Sequence, residues 1–326
     1  MPRNKEFTKD LSEGWKHLNQ KWKEPYENKL EYSKAVIERT INNFENPVIC
    51  WSGGKDSTAL IHLVKQIESD IPIINIDVDV EFESTKFFIS RLVNEWNLNF
   101  YSSSCNEYSF WDVGEKYGWP IFGKNISSNV GRAIRTGNIR PQLSEFERFL
   151  VINNANISNK CAYYLREKPS IQLEKKLNAD AKFIGLRAQE SRIRSVLWVD
   201  YGDCYYVKNY YGKDKGIWKL NPIALWTEED VWRYHSENNI PMCSIYNSGY
   251  TRNGCWTCCM GIKHGQLHRL RTNFPDKFMY LVKETEMGEE ITRLLVQIKK
   301  KKGEDIPKYA NITNILNKTP DFFDKF

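Results

Sequence analysis

The chain has 326 residues, 41% hydrophobic and 27% charged, with a formal net charge of +6. A chain this long buries a full core without disulfides or a structural metal, so any metal centre is expected to serve function or local order. The mild positive balance falls short of the basic footprint of a dedicated nucleic-acid binder, and no stretch approaches the ~18–20 apolar residues of a membrane span.

Residues 1–46 read as a polar helical segment with Leu30, Ile37, Ile41 and Phe44 on one face. The charged start Met1-Pro2-Arg3-Asn4-Lys5-Glu6 has no apolar run behind it, unlike a signal peptide. The expected location is therefore the cytoplasm, where the eight cysteines serve as ligands, core residues or reactive thiols. From Pro47 the pattern changes. Val48-Ile49-Cys50-Trp51 reads as a buried strand, a Gly-rich turn follows, and Ala59, Leu60, Leu63, Val64 and Ile67 recur at helical spacing. Pro72–Ile76 reads as a second strand, 83–96 as a helix, Leu98–Tyr101 as a third strand and Lys182–Gly185 as a fourth. Strands alternating with helices predict an α/β fold with a parallel, twisted sheet covered on both faces. Residues 106–160 mix aromatics, glycines and polar runs without a clear period. Thr227 predicts an N-cap, with Glu228, Glu229 and Asp230 in the first turn where they suit the helix dipole. The division expected is a helical segment over 1–46, an α/β domain over 47–226 and a cysteine-rich, mainly helical region over 227–326.

Ser52-Gly53-Gly54-Lys55-Asp56-Ser57 lies between a predicted strand and a predicted helix, the context in which a Gly-rich loop binds phosphate. The glycines allow close backbone approach, the first-turn N–H groups and the Ser52 and Ser57 hydroxyls can donate, and Lys55 adds charge. Asp56 suits such a site only if it orients the loop or helps hold Mg²⁺. The spacing is not that of Walker A.

The loop is identical to the Ser-Gly-Gly-x-Asp-Ser signature of the pyrophosphatase-loop family, whose adenine nucleotide α-hydrolase-like fold the resemblance implies. It continues through Asp77-Val78-Asp79, through Gly185-Leu186-Arg187-Ala188-Gln189-Glu190-Ser191-Arg192 with Arg194, and through Asn221–Trp232, Ile240-Pro241, Tyr246 and Gly249. Over roughly 45–262 the chain resembles the phosphoadenylyl-sulfate reductase branch and its relatives in DNA phosphorothioation. The resemblance implies an ATP site at Ser52–Ser57 and Asp77, with Arg187 and Arg192 as phosphate or sulfate clamps; guanidinium pairs bidentately with such groups. Lys55, Asp56 and Arg187 become the catalytic candidates.

Cys255-Trp256-Thr257-Cys258 is a Cys-x-x-Cys, with Cys243 twelve residues before it and Cys161 far upstream. Read alone, the pair suits a zinc hairpin, half of a cluster site or a redox couple. Cys161, Cys243, Cys255 and Cys258 are the expected ligands; the resemblance favours a [4Fe–4S] cluster over Zn²⁺, Cys259 competes with Cys243, and Gly254 is expected to ease the loop. His264 and His268 are four apart and read as surface or packing residues, and Cys50, Cys105 and Cys204 as structural.

The reductases carry a catalytic cysteine in a tail Glu-Cys-Gly-Leu-His segment, whereas no cysteine here follows Cys259. They also carry an adjacent cysteine pair where this chain has Cys161-Ala162, and Asp-Thr-Gly where it has Asp77-Val78-Asp79. The leading expectation is an ATP pyrophosphatase that binds ATP–Mg²⁺, adenylates its substrate and releases pyrophosphate, priming that position for sulfur. A cysteine desulfurase would be the sulfur donor, nucleic acid one candidate acceptor, and oligomers are open. Sulfonucleotide reduction is the first alternative. A non-catalytic nucleotide- and cluster-binding sensor or assembly subunit is the second.

Overall fold

The computed structural model describes residues 11–262 and 265–303. In chain order the helices are α1 (Leu11–Trp22), α2 (Tyr26–Asn43), α3 (Lys55–Lys65), α4 (Glu83–Glu95), α5 (Phe110–Tyr117), α6 (Lys124–Thr136), α7 (Glu145–Ile152), α8 (Lys160–Ala162), α9 (Lys168–Lys176), α10 (Arg192–Tyr201), α11 (Glu228–Glu237), α12 (Gln266–Asn273), α13 (Pro275–Lys283) and α14 (Glu286–Lys302). The strands are β1 (Pro47–Cys50), β2 (Ile73–Asp77), β3 (Phe100–Ser104), β4 (Ala181–Ile184), β5 (Cys204–Gly212) and β6 (Lys215–Leu220). The chain forms two compact units. No described helix is long and apolar enough to cross a membrane.

The first unit, residues 1–77, 83–103 and 169–246, holds a six-stranded sheet in the order β3-β2-β1-β4-β6-β5. β1 runs parallel to β2 and β4, and β6 parallel to β4, while β5 is antiparallel to β6. Central strands in such sheets are covered on both faces and read as apolar runs. Val48, Ile49, Ile73, Ile74 and Phe183 are accordingly buried, with Ile49 in register with Ile73 and with Phe183. The mostly parallel α/β sheet expected from the strand–helix alternation is present. The β5–β6 hairpin is an addition that the apolar pattern did not signal.

α2 turns a different face inward from the one expected. Ile37 is fully buried, but its neighbours on the inner face are Tyr26, Lys29, Ser33, Val36 and Thr40, while Leu30, Ile41 and Phe44 are half-buried. Polar partners explain the rotation. Lys29 pairs with Asp230, Trp226 Nε1 donates to Ser33 Oγ at 2.9 Å, and Ser33 donates to the Pro222 carbonyl at 2.8 Å. Asp230 also completes a capping box with the predicted N-cap Thr227: its N–H donates to Thr227 Oγ1 at 3.1 Å and its carboxylate accepts from Thr227 N–H at 2.7 Å.

The second unit comprises residues 78–82, 104–168 and 247–326. Within 106–160, where periodicity fails, α5 and α7 each begin with a reciprocal capping box, Ser109 with Asp112 and Ser144 with Glu147. Short bridges pair Trp119 with Ile157, Ile121 with Cys259 and Glu81 with Cys255. The predicted helical start at 1–10, His264 and the tail Thr319–Phe326 lie outside the described residues.

Candidate nucleotide site and cysteine loop

The loop after β1 is tied down before it reaches α3. Trp51 is buried, its Nε1 donates to Thr58 Oγ1 at 3.0 Å, and Asn75 Nδ2 donates to its carbonyl at 2.9 Å. The Ser52 and Ser57 hydroxyls lie 3.1 Å apart, and Ser57 Oγ donates to the Gly54 carbonyl at 3.0 Å. Gly53 has φ +69°, a left-handed conformation that costs glycine nothing. Gly185, one residue beyond β4, is needed for space: a β-carbon there would stand 2.8 Å from the backbone N and Cα of Ser57. The two segments expected to form one site are thus in backbone contact.

α3 begins at Lys55 with Gly54 as N-cap and no side-chain cap, so its first turn keeps the donor character of a helix N-terminus. Lys55 is 4% exposed and Arg187 3% exposed. Arg187 Nε donates to Asp56 and its Nη2 to Glu228. Lys55 Nζ lies 3.2 Å from Glu228 Oε1 and 3.6 Å from Asp56 Oδ2. It also faces the rings of Trp232 and Tyr246 at 5.7 and 5.6 Å. The Lys55 N–H donates to Tyr246 Oη and its carbonyl accepts from His235 Nε2, both at 2.9 Å. Burial holds the Tyr246 phenol protonated, well above its ordinary range. Asp56, whose place beside a phosphate needed a reason, is the acid that anchors Arg187.

Two other expected residues lie apart from this cluster's contacts. Asp77 ends β2, and its carboxylate pairs with Lys86 at 2.7 Å. Arg192 opens α10 and is exposed, while Arg194 pairs with Glu190. Glu228, Trp232, His235 and Tyr246 all serve the loop; in the sequence Glu228 stands as an acid in a first turn and Trp232 and Tyr246 as parts of a matching segment, and His235 is not singled out. The signal for Glu228 was its spacing: Glu228 and Trp232 are four apart on α11, and Trp232 Nε1 donates to Glu228 Oε1 at 3.0 Å.

In the second unit Cys161 lies in α8, just before a π-helical turn at Tyr163–Glu167 that carries Arg166. Arg166 Nη2 donates to Glu81 Oε1 at 2.7 Å and to Cys255 Sγ at 3.5 Å. Burial raises the Cys255 thiol, opposed by Arg166, and raises Cys258, opposed by N–H donors of Met260 and Gly261. Cys161 is pushed up to about 12 by burial and then by Cys258 and Cys255. Burial raises the buried Cys259 thiol well above its ordinary range. Cys243 belongs to the first unit, buried with its Sγ 3.9 Å from Thr85 Oγ1. Among the described residues no three His, Cys, Asp or Glu side chains form a metal-holding group. The donors to Cys255 and Cys258 suit anionic sulfur ligands, so the chemistry of this donor set fits a thiolate-bound centre. Gly254 is not required sterically, since a β-carbon there meets nothing within 4 Å.

The parallel sheet, the loop at a strand's carboxyl end and the buried Lys55–Arg187 pair define a nucleotide-binding α/β protein of the pyrophosphatase-loop class. The chain belongs to the phosphoadenosine phosphosulfate reductase domain family, whose model matches residues 46–260. It is 25% identical over 246 residues to the adenosine 5'-phosphosulfate reductase of Staphylococcus epidermidis, covering 72% of this chain and 82% of that one. It is 30% identical over 203 residues to the phosphoadenosine 5'-phosphosulfate reductase of Buchnera aphidicola, covering 62% and 66%. A phosphoadenylyl-sulfate reductase structure from Candida auris, a phosphate complex, aligns with TM-score 0.45 and 17% identity over 69% of this chain and 88% of that one. The two relatives matched by sequence are named for sulfonucleotide reduction, the first alternative above.

Proposed function

We propose that this chain is an enzyme acting on an adenine sulfonucleotide, with the anionic groups of the ligand held by Ser52–Ser57, Lys55 and Arg187. The observation that carries the reading is the meeting of two buried cations at an uncapped helix start behind a central strand. In a reductase of this kind two electrons from two thiols reach the sulfate sulfur, the sulfur–oxygen bond to the nucleotide breaks, and sulfite and the nucleoside phosphate leave. A disulfide is the oxidised product. Lys55 and Arg187 would stabilise charge growing on the departing phosphate.

A second reading keeps ATP–Mg²⁺ as substrate and pyrophosphate as product, with adenylation preparing a position for sulfur. The six-residue loop match favours it. Mg²⁺ would supply charge neutralisation of the phosphates, with Asp56 its candidate ligand. Asp77 and Arg192 belong to both readings as outer contacts to the nucleotide. Nucleic acid as acceptor and a cysteine desulfurase as sulfur donor belong to the second. In either, Cys161, Cys255 and Cys258 are proposed ligands of a [4Fe–4S] centre, or of Zn²⁺, with Cys243 or Cys259 in the fourth place.

One experiment separates the readings. The protein, purified without oxygen, is incubated with adenylyl sulfate or phosphoadenylyl sulfate plus a dithiol, and separately with ATP–Mg²⁺. Sulfite release without pyrophosphate supports the first reading, and pyrophosphate without sulfite the second. In either case the activity must fall at least a hundredfold in Lys55→Ala. Activity that survives this substitution, or none with any substrate, overturns the loop as a catalytic site.

A further inference from the structure

The four charged groups at the loop, Lys55, Arg187, Asp56 and Glu228, sum to zero. A site meant for a multiply charged anion would be expected to keep a positive surplus. The carboxylates differ in position. Asp56 sits in the loop with a side chain 15% exposed, whereas Glu228 is 47% exposed and bridges both cations, one oxygen toward Lys55 and the other toward Arg187. The Glu228 backbone is anchored separately, its N–H donating to Gln189 Oε1 at 2.9 Å. The side chain can therefore swing toward solvent without moving the start of α11.

We propose that Glu228 is a resident counter-anion of the loop, which competes with the phosphate or sulfate group of a ligand for Lys55 and Arg187 and so selects for strongly charged ligands. This rests on the reading of Ser52–Ser57 as the nucleotide site. A guanidinium edge donating to one carboxylate cannot at the same time receive a second oxyanion, and two anions sharing one partly buried site repel. A pyrophosphate or phosphate dianion displaces the carboxylate more readily than a weakly charged ligand does. Removing the Glu228 charge leaves the cluster with a surplus of +1.

The test is calorimetric titration of the full chain with inorganic pyrophosphate, AMP and adenosine, in wild type, Glu228→Gln and Lys55→Ala. Glutamine keeps an oxygen for Trp232 Nε1 and loses only the charge; Glu228→Ser is the second variant if the first does not fold, judged by thermal melting. Pyrophosphate and AMP are expected to bind roughly tenfold tighter to Glu228→Gln, ~1.4 kcal/mol, with adenosine unchanged. Unchanged or weaker pyrophosphate binding in a folded variant overturns the proposal, and so does an equal gain for adenosine, which would make the effect one of shape. If pyrophosphate binds Lys55→Ala as tightly as wild type, it is the reading of the loop that fails. If Lys55→Ala loses binding while Glu228→Gln gains none, the loop stands and the counter-anion does not.

Discussion

Lys55 is held at every polar point: its amide by Tyr246, its carbonyl by His235, its ammonium by Glu228, Asp56 and two ring faces. Such a residue has little freedom left to lose on binding, which favours affinity. Arg187 presents its edge to the same carboxylates, so its removal alters both charge and loop geometry. Loss of one charge-assisted hydrogen bond should cost ~1.5–3 kcal/mol. Arg187→Ala is therefore expected to weaken nucleotide binding roughly 10- to 100-fold, and titration calorimetry showing unchanged affinity and turnover would remove it from the site. Gly185→Ala is a steric counterpart that touches no charge. Its β-carbon would press on the Ser57 backbone at 2.8 Å, and backbone cannot rotate aside as a side chain can. The variant should keep its far-ultraviolet circular dichroism and lose at least tenfold in nucleotide affinity; a variant that binds as wild type does would mean the loop tolerates displacement.

Between elements, the sheet carries a buried ion pair. Lys182 of β4 and Glu174 of α9 have side chains 5% and 0% exposed and meet at 2.7 Å; Ser170 and Tyr210 add hydrogen bonds. Removing one partner strands the other charge in low dielectric, at a cost of roughly 3–5 kcal/mol. Lys182→Met should lower stability by about that amount in urea unfolding, and Lys182→Met with Glu174→Leu should recover most of it; a single variant as stable as wild type would show that water reaches the carboxylate. This pair marks where the sequence stops being legible. β1 and β2 announce themselves by apolar runs, β4 by Phe183-Ile184 before Gly185, and α11 by Thr227 and its acids. β5, Cys204–Gly212, carries tyrosines, lysine and asparagine on a sheet edge, and β6 alternates around Gly216, so neither makes an apolar run. Its β-branched and aromatic content, with the turn at Gly212–Asp214, was the available signal. Lys29 and Lys182 look like surface lysines in sequence, because the acids that allow their burial lie 201 residues away for Lys29 and 8 for Lys182.

Across the whole chain, six segments alternate between the two compact units. The loop, Arg187 and Glu228 belong to one unit, and Cys161, Cys255, Cys258 and Cys259 to the other. The cysteine spacing disclosed a candidate centre but could not disclose its supports, since Arg166 and Glu81 come from separate segments joined only by folding. Those supports shape the last prediction. A thiolate ligand needs donors that favour its charge, and Cys255 has Arg166 while Cys258 has two backbone N–H groups. Burial, and then Cys258, raise the Cys259 thiol well above its ordinary range, which favours its protonated form. Protein purified without oxygen is expected to contain iron and acid-labile sulfide, and Cys161→Ser, Cys255→Ser and Cys258→Ser should each lose them. Cys50→Ser and Cys204→Ser should retain the full content. Cys243→Ser and Cys259→Ser decide the fourth ligand, by which of the two loses the centre. Zinc without sulfide would make the site a structural thiolate centre. If neither metal is found in the wild-type protein, Cys255 and Cys258 are free thiols, and their spacing makes them the first pair to examine as the reductant of the sulfonucleotide.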